Sequence, residues 1–277
     1  MNRGLRTALP ALLAIALVCA VAHSAIAEDA RSPAVTAIFP SGNEVPANHL
    51  KFYIHFSQPM RQGVFLQHCS LRDEHGNEVA EPFRETELWS DDRTRLTLWL
   101  HPGRQKTGVN LNVEFGPVLH ASRGYTLTVS GKWPSENGIP IGADVRKNFR
   151  AIERATAQLD AGTWRIAPPP AGSIAPLTIR FPAPLDHALL LRCIRVRGAR
   201  DQLIVGSITV TEQDQSWSFT PAHPWAPEPH TLAADTILED LAGNSLARSF
   251  EVDLTKTVPG KRTSTVTILF RPTEGSK

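Results

Sequence analysis

Two stretches decide the fold: Leu50-Lys-Phe-Tyr-Ile-His-Phe56, which runs into Ser57-Gln-Pro59, and Leu177-Thr-Ile-Arg-Phe181, which runs into Pro182-Ala-Pro184. In each, apolar residues alternate with others until a proline ends the run. Successive side chains of a strand point to opposite faces. Leu50, Phe52, Ile54 and Phe56 therefore share one face, and Lys51, Tyr53 and His55 share the other. A period of two marks a half-buried antiparallel strand.

Around these two strands the same landmarks recur in the same order. Each strand is followed by an apolar run that ends in a cysteine, Val64 to Cys69 and Ala188 to Cys193. Arg95-Leu-Thr-Leu-Trp-Leu100 before His101-Pro102 answers Ser216-Trp-Ser-Phe-Thr220 before Pro221. Tyr125-Thr-Leu-Thr-Val129 before Asn137-Gly138 answers His230-Thr-Leu-Ala-Ala234 before Gly243-Asn244. Each series closes on a phenylalanine segment, Phe149 and Phe250-Glu-Val252. A repeat unit this long is large enough for its own core, which points to tandem domains.

The composition agrees with short strands joined by turns. There are 22 prolines and 18 glycines, with Thr, Val and Ile crowding the segments between them. This is the pattern of an all-β chain. His75-Gly76-Asn77 and Asn137-Gly138 supply residues suited to tight turns. With 29 Lys and Arg against 27 Asp and Glu, the charges nearly cancel, so nothing draws the chain to nucleic acid or to an anionic membrane.

Residues 1–27 have the plan of a secretory signal peptide. Arg3 and Arg6 precede an apolar run from Leu9 to Val21, and Ala25-Ile26-Ala27 offers a small-residue cleavage site before Glu28. The run is short for a bilayer span, although an uncleaved anchoring helix is the alternative. Cys19 follows Val18, where a lipoprotein signal wants a small residue. The expectation is export to the periplasm, cell surface or medium, with no membrane span after the leader is removed. Cys69 and Cys193 then remain, at matching positions a domain apart. They read as small buried core residues rather than a bridge.

The order Phe39-Pro40-Ser-Gly42, then Ile54-His-Phe56-Ser-Gln-Pro59-Met60, then Gly124-Tyr125-Thr-Leu, with Leu238-Glu-Asp240-Leu-Ala-Gly243-Asn244, resembles the bacterial Ig-like domains of the S-layer SbsA type. The resemblance covers nearly the whole mature chain as two copies. It implies two tandem immunoglobulin-like β-sandwiches that serve as spacer, scaffold or adhesive modules, with a protein or glycan partner at the cell envelope and no catalytic residues. Residues 33–152 form the first domain and 162–255 the second, with 256–277 a C-terminal strand and tail.

A search for chemistry supports a non-catalytic reading. There is no His-Glu-x-x-His, no Gly-x-Ser-x-Gly, no Gly-rich phosphate loop and no Cys-x-x-Cys. Asp91-Asp92 and Asp240 with Asn244 lack the dense oxygen ligands of a calcium loop and suit turns better. A further resemblance, to an exported copper-binding sandwich, rests on Phe39 to Pro59. Such sites use a mature N-terminal histidine, whereas cleavage here leaves Glu28-Asp29. No metal and no cofactor is expected.

The first domain carries an insertion that the second lacks, from Gln105 to His120. Loops of this kind can carry binding specificity. The alternating Leu111-Asn-Val113-Glu-Phe115 reads equally as an added edge strand. Should the chain bind a glycan or small polar ligand, Arg104, Lys106, Trp89 and Trp133 are the candidate contacts. Both tryptophans can alternatively fill the core. Between the domains, Ala151 to Leu159 reads as a helical turn or linker, before Trp164-Arg-Ile166 and Pro168-Pro-Pro170. Beyond Leu254, Thr263 to Pro272 resembles the opening strands Val35 to Pro40 and Thr163 to Pro168. It is expected to pair with an edge of the second domain, with a disordered tail or a contact to another chain as alternatives.

Overall fold

A computed structural model of the chain describes residues 32–105, 110–250 and 264–274. The leader, its Ala27–Glu28 cleavage point and Lys106 lie outside the described residues, as does the expected strand after Phe250.

The N-terminal half builds two facing sheets. The strands are β1 (Val35–Phe39), β2 (Glu44–Pro46), β3 (Lys51–Phe56), β4 (Cys69–Asp73), β5 (Arg95–Trp99), β6 (Gly124–Val129) and β7 (Val145–Ile152). One sheet runs β1-β3-β5, and the other runs β2-β7-β6-β4. All neighbours are antiparallel except β2 and β7, which pair in parallel through Val45 and Ala151. Phe52, Ile54, Leu96 and Leu98 point inward from the first sheet, and Leu71, Leu127, Val129 and Phe149 from the second. The shared face read from the sequence is thus the core face.

A short helix, α1 (Phe65–His68), crosses from one sheet to the other and delivers Cys69 to the start of β4. The insertion is helical rather than an edge strand. The helix α2 (Pro102–Gln105) leads into it, the insertion itself holds α3 (Asn110–Phe115), and behind them Val118 and Leu119 enter the core at 2 % and 1 % exposure. Alternation over five residues did not decide this segment, because so short an apolar pattern does not separate strand from helix.

The C-terminal half repeats the pairing plan. Its elements are β8 (Arg165–Ala167), β9 (Leu177–Arg180), α4 (His187–Cys193), β10 (Ile194–Arg197), β11 (Gly206–Thr211), β12 (Ser216–Pro221), β13 (His230–Asp235) and β14 (Thr265–Phe270). One sheet runs β8-β9-β12-β11 and the other β10-β13-β14. Trp217, Leu177, Ile179, Leu190 and Leu232 are fully buried between them. Cys69 and Cys193 are buried free thiols, and burial raises the pKa of each.

The tail pairs with an edge of the second sandwich, as expected, and closes its sheet rather than opening a further one. β14 pairs antiparallel with β13 along its whole length, from His230–Phe270 to Asp235–Thr265. It occupies the position beside β13 that β7 holds beside β6. A parallel bridge from Pro170 to Thr273 even matches the parallel pairing of β2 with β7. Of the two readings of Ala151 to Leu159, the linker holds and the helical turn does not: residues 151 and 152 end β7, and residues 153–159 contain no helix. Asp160 then caps the 3-10 turn Ala161–Thr163, accepting from the Gly162 amide.

Candidate functional site at the seam of the two sandwiches

The outward face of β3, polar in the sequence, is largely covered, with Lys51 and His55 only partly buried. Tyr53 is 8 % exposed because the C-terminal sandwich covers it. Its hydroxyl donates to Asp186, with the oxygens at 2.8 and 3.0 Å. Lys51 Nζ lies 3.0 Å from Asp186 Oδ2 and 2.5 Å from Glu239 Oε1. Asp186 is the N-cap of α4, and its Oδ1 also accepts from the Leu189 amide at 2.9 Å. One carboxylate thus starts a helix and binds a lysine and a tyrosine of the other sandwich.

Electrostatics fixes these protonation states. Burial alone would lower the pKa of Lys51, but the charge of Asp186, helped by Glu239, overrides it and raises the pKa. Burial raises the Tyr53 pKa, and Asp186 raises it further. Both groups keep their protons through the physiological range. The cluster holds charge in place and supplies neither an amine nucleophile nor a phenolate base.

Two flanking contacts complete the seam. Asp214 Oδ2 accepts from the Ser41 amide at 2.8 Å, and Oδ1 lies 2.8 Å from His187 Nδ1. Phe39 stacks on the His187 ring at a centroid distance of 3.5 Å. Asp214 ends a run of three left-handed residues, Glu212, Gln213 and Asp214, with φ of 52°, 58° and 69°. Each such non-glycine residue costs about 1 kcal/mol. The strain persists where the β11–β12 turn is pinned to the other sandwich.

On the opposite flank, the turn after β13 enters the N-terminal core. Leu241 is buried there, and its carbonyl accepts from the Leu50 amide at 3.0 Å. His49 Nδ1 lies 3.1 Å from the same carbonyl. Burial, with Lys51 and Lys147 nearby, lowers the His49 pKa to about 3, so its ring is neutral. Within the turn, Asp240 Oδ1 accepts from the amides of Ala242 and Asn244, while Asn244 Nδ2 donates to the linker carbonyl of Ala155. Asn48 grips Ala155 from the other side, donating to its carbonyl and accepting from its amide.

The sequence-derived ligand residues sit elsewhere. Arg104 is 7 % exposed, and its guanidinium donates to the carbonyls of Ala80, Glu81, Phe115, Gly116 and Pro117. Those bonds tie the helical insertion to the loop beside it. Trp133 is fully buried, stacks on His68 and donates from Nε1 to the Arg61 carbonyl at 3.1 Å. Trp89 is half-buried against Phe56 and Trp133 and donates to Glu87 at 3.3 Å. Arg104 and the two tryptophans therefore do not share one open surface. Sequence reasoning missed Lys51, Tyr53, Asp186 and Glu239. The available signal was a tyrosine on the polar face of β3, since a side chain with an apolar ring and a polar tip suits a wet boundary.

Among the described residues, no group of three or more His, Cys, Asp or Glu is placed to hold a metal ion. No helix there is long and apolar enough to cross a membrane.

These features define a class: an all-β protein of two sandwiches locked by a buried polar seam. No family model matches the chain, and no curated protein matches it. Among solved structures it is similar to surface layer protein SbsC, domains 1–6, at 11 % identity over 92 % of this chain and 27 % of that one, with a TM-score of 0.34. It is also similar to native alpha-2-macroglobulin from Escherichia coli spanning domains MG0-NIE-MG1, at 10 % identity over 88 % and 72 %, with a TM-score of 0.30. For Rst D1-D2 the values are 9 % identity, 78 % and 95 %, with a TM-score of 0.24. The chain spans about a quarter of the SbsC structure it matches. At such low TM-scores these likenesses carry no functional argument.

Proposed function

We propose that this chain is an exported, non-catalytic pair of Ig-like sandwiches that acts in adhesion, as a scaffold, or in envelope assembly. The observation that carries the reading is the seam. A lysine, a tyrosine and two carboxylates are buried where two sandwiches meet, and the turn at Leu241 is inserted into the neighbouring core. A freely jointed pair of domains has no use for such contacts. A spacer that must present surfaces at a fixed angle does, because broken buried ion pairs are costly and so hold one orientation.

The test is to express the chain with its own leader in a bacterial host and weigh the product recovered outside the cytoplasm. The expected mass corresponds to cleavage between Ala27 and Glu28. A full-length product confined to the cytoplasm would sink the export half of the proposal. A glycan array probed with the same preparation separates scaffold from saccharide receptor: a blank array fits the former, and dose-dependent binding to one glycan class overturns it.

A further inference from the structure

Beside the buried ion cluster, a groove of about 410 Å³ runs between the outward face of β5 and helix α4. Its charges are unevenly matched. Lys51 is answered by Asp186 and Glu239. Arg95 and Arg192 also line the groove, and among the described residues neither has a carboxylate within ion-pair distance. With Lys51, Arg95 and Arg192 set against Asp186 and Glu239, one net positive charge is left, and it is carried at the Arg95 and Arg192 end.

Two donors on its β5 wall are also unmet. Arg95 Nε and Trp99 Nε1 are shielded from solvent, yet neither has a hydrogen-bond acceptor. Buried donors without partners are rare in folded proteins, and each asks for an explanation. Arg95 and Trp99 stand on the same face of one strand, the face that lines the groove.

The rest of the lining indicates the kind of ligand. The Trp99 ring already has Lys51 Nζ over it at 4.9 Å, and the Tyr53 ring has Lys51 and Arg95 at 5.9 and 5.7 Å. Aromatic faces engaged by cations are poor platforms for stacking a sugar ring. Leu88 and Ile237, by contrast, line the groove while 42 % and 53 % exposed, and offer aliphatic surface. Positive charge beside exposed aliphatic surface complements a chain that carries carboxylates and branched apolar side chains.

We propose that this groove docks an acidic peptide segment of a partner protein, with its carboxylates on Arg95 and Arg192 and an aliphatic side chain against Leu88 and Ile237. The proposal rests on the scaffold reading only for the need of a protein partner; the groove itself does not depend on export.

The test uses the purified chain and a fluorescein-labelled peptide of alternating glutamate and leucine, read by fluorescence polarisation. Saturable binding is expected, weakening with added salt, and at least about tenfold weaker in the double variant Arg95→Gln/Arg192→Gln. A glutamate–serine peptide should bind more weakly, and a lysine–leucine peptide should not bind. Circular dichroism checks that the variant is folded. If removal of Arg95 unfolds it, the exposed-site variant Arg192→Glu replaces it and should lose several-fold in affinity. The proposal is overturned by absent saturation, by equal affinity in a folded variant, or by a polyglucuronate chain that binds as tightly as the peptide. Peptide binding by a protein that fails the export test would remove the envelope role and leave the groove standing.

Discussion

The two sandwiches close in the same way by different routes, and the difference shows what each half depends on. In the N-terminal sandwich β7 follows β6 directly across the turn-rich segment 130–144. In the C-terminal sandwich the corresponding strand, β14, arrives only after residues 236–264 have intervened. The turns that follow β6 and β13 make the same comparison at smaller scale. Ser135 and Ile139 form a bridge-like pair with Gly138 between them, as Asp240 and Asn244 do with Gly243. Both glycines have left-handed φ, 84° and 81°. An added Cβ at Gly138 would lie 4.0 Å from Arg61, whereas at Gly243 it would come within 2.5 Å of Leu50 in the other sandwich. The same local turn packs within its own sandwich in one half, against Pro59 to Arg61, and is wedged into the seam in the other.

The largest effect tests the closing strand. Truncation after Thr257 removes β14, and with it the core residue Phe270 and the partly buried Val266 and Ile268. Losing that burial costs on the order of 5 kcal/mol, enough to unfold the C-terminal sandwich. Differential scanning calorimetry should show one sandwich's transition lost or strongly lowered. An unchanged thermogram would mean that β14 is dispensable and that the parallel between the halves is false.

The seam comes next. Asp186→Ala leaves Lys51 with Glu239 alone, strips the Tyr53 hydroxyl of its acceptor and removes the α4 cap, for an expected loss of about 2 to 4 kcal/mol. Replacing the whole cluster, Asp186→Ala with Lys51→Met and Glu239→Gln, should recover part of it, since no unpaired charge is then left in the seam. If the single variant melts like the parent, the ion cluster does not hold the sandwiches together.

The glycine pair sharpens the comparison further. Gly243→Ala combines left-handed strain with a clash and should cost about 2 to 3 kcal/mol, whereas Gly138→Ala should cost only about 1 kcal/mol. Equal shifts of the denaturation midpoint for the two would show that the seam yields easily around Leu50.

Acid should act on the same flank more gradually. His49 stays neutral when folded because its pKa is lowered to about 3, whereas the unfolded chain takes up a proton below 6.5. The unfolded state therefore binds more protons between those values, and stability falls as pH falls through that window, by about 1.4 kcal/mol per pH unit at most. Urea titrations from pH 7 to pH 4 should show this slope, and His49→Gln should flatten it. A slope identical in the variant would assign the acid sensitivity to other groups.

Much of this architecture was legible in the chain. Alternation in Leu50–Phe56, Arg95–Leu100 and Tyr125–Val129 gave strands and their inward faces, because a strand's two faces are written into every second residue. Glycines 138 and 243 marked turns, since few residues accept a left-handed backbone. Cys69 and Cys193 read as buried thiols from their matching positions, and both are. Of the two readings of the insertion at 105–120, the edge strand failed, because Leu111, Val113 and Phe115 fit either period over so short a run. The tail strand pairs with the second sandwich as its alternation predicts, but its likeness to an opening strand did not hold, because an alternating strand carries no label saying whether it opens or closes a sheet.

The seam was beyond the reach of the sequence. Periodicity tells which face of β3 is polar, but not what covers it. Lys51 and Tyr53 look like solvent-facing residues until Asp186 and Glu239, far along the chain, are brought against them. Local propensity and patterning determined the strands, the turns and the inward faces. The place of β14 as the closing strand, the burial of an ion cluster and the groove beside it were decided only by tertiary structure, because each depends on contacts between residues that share no local pattern.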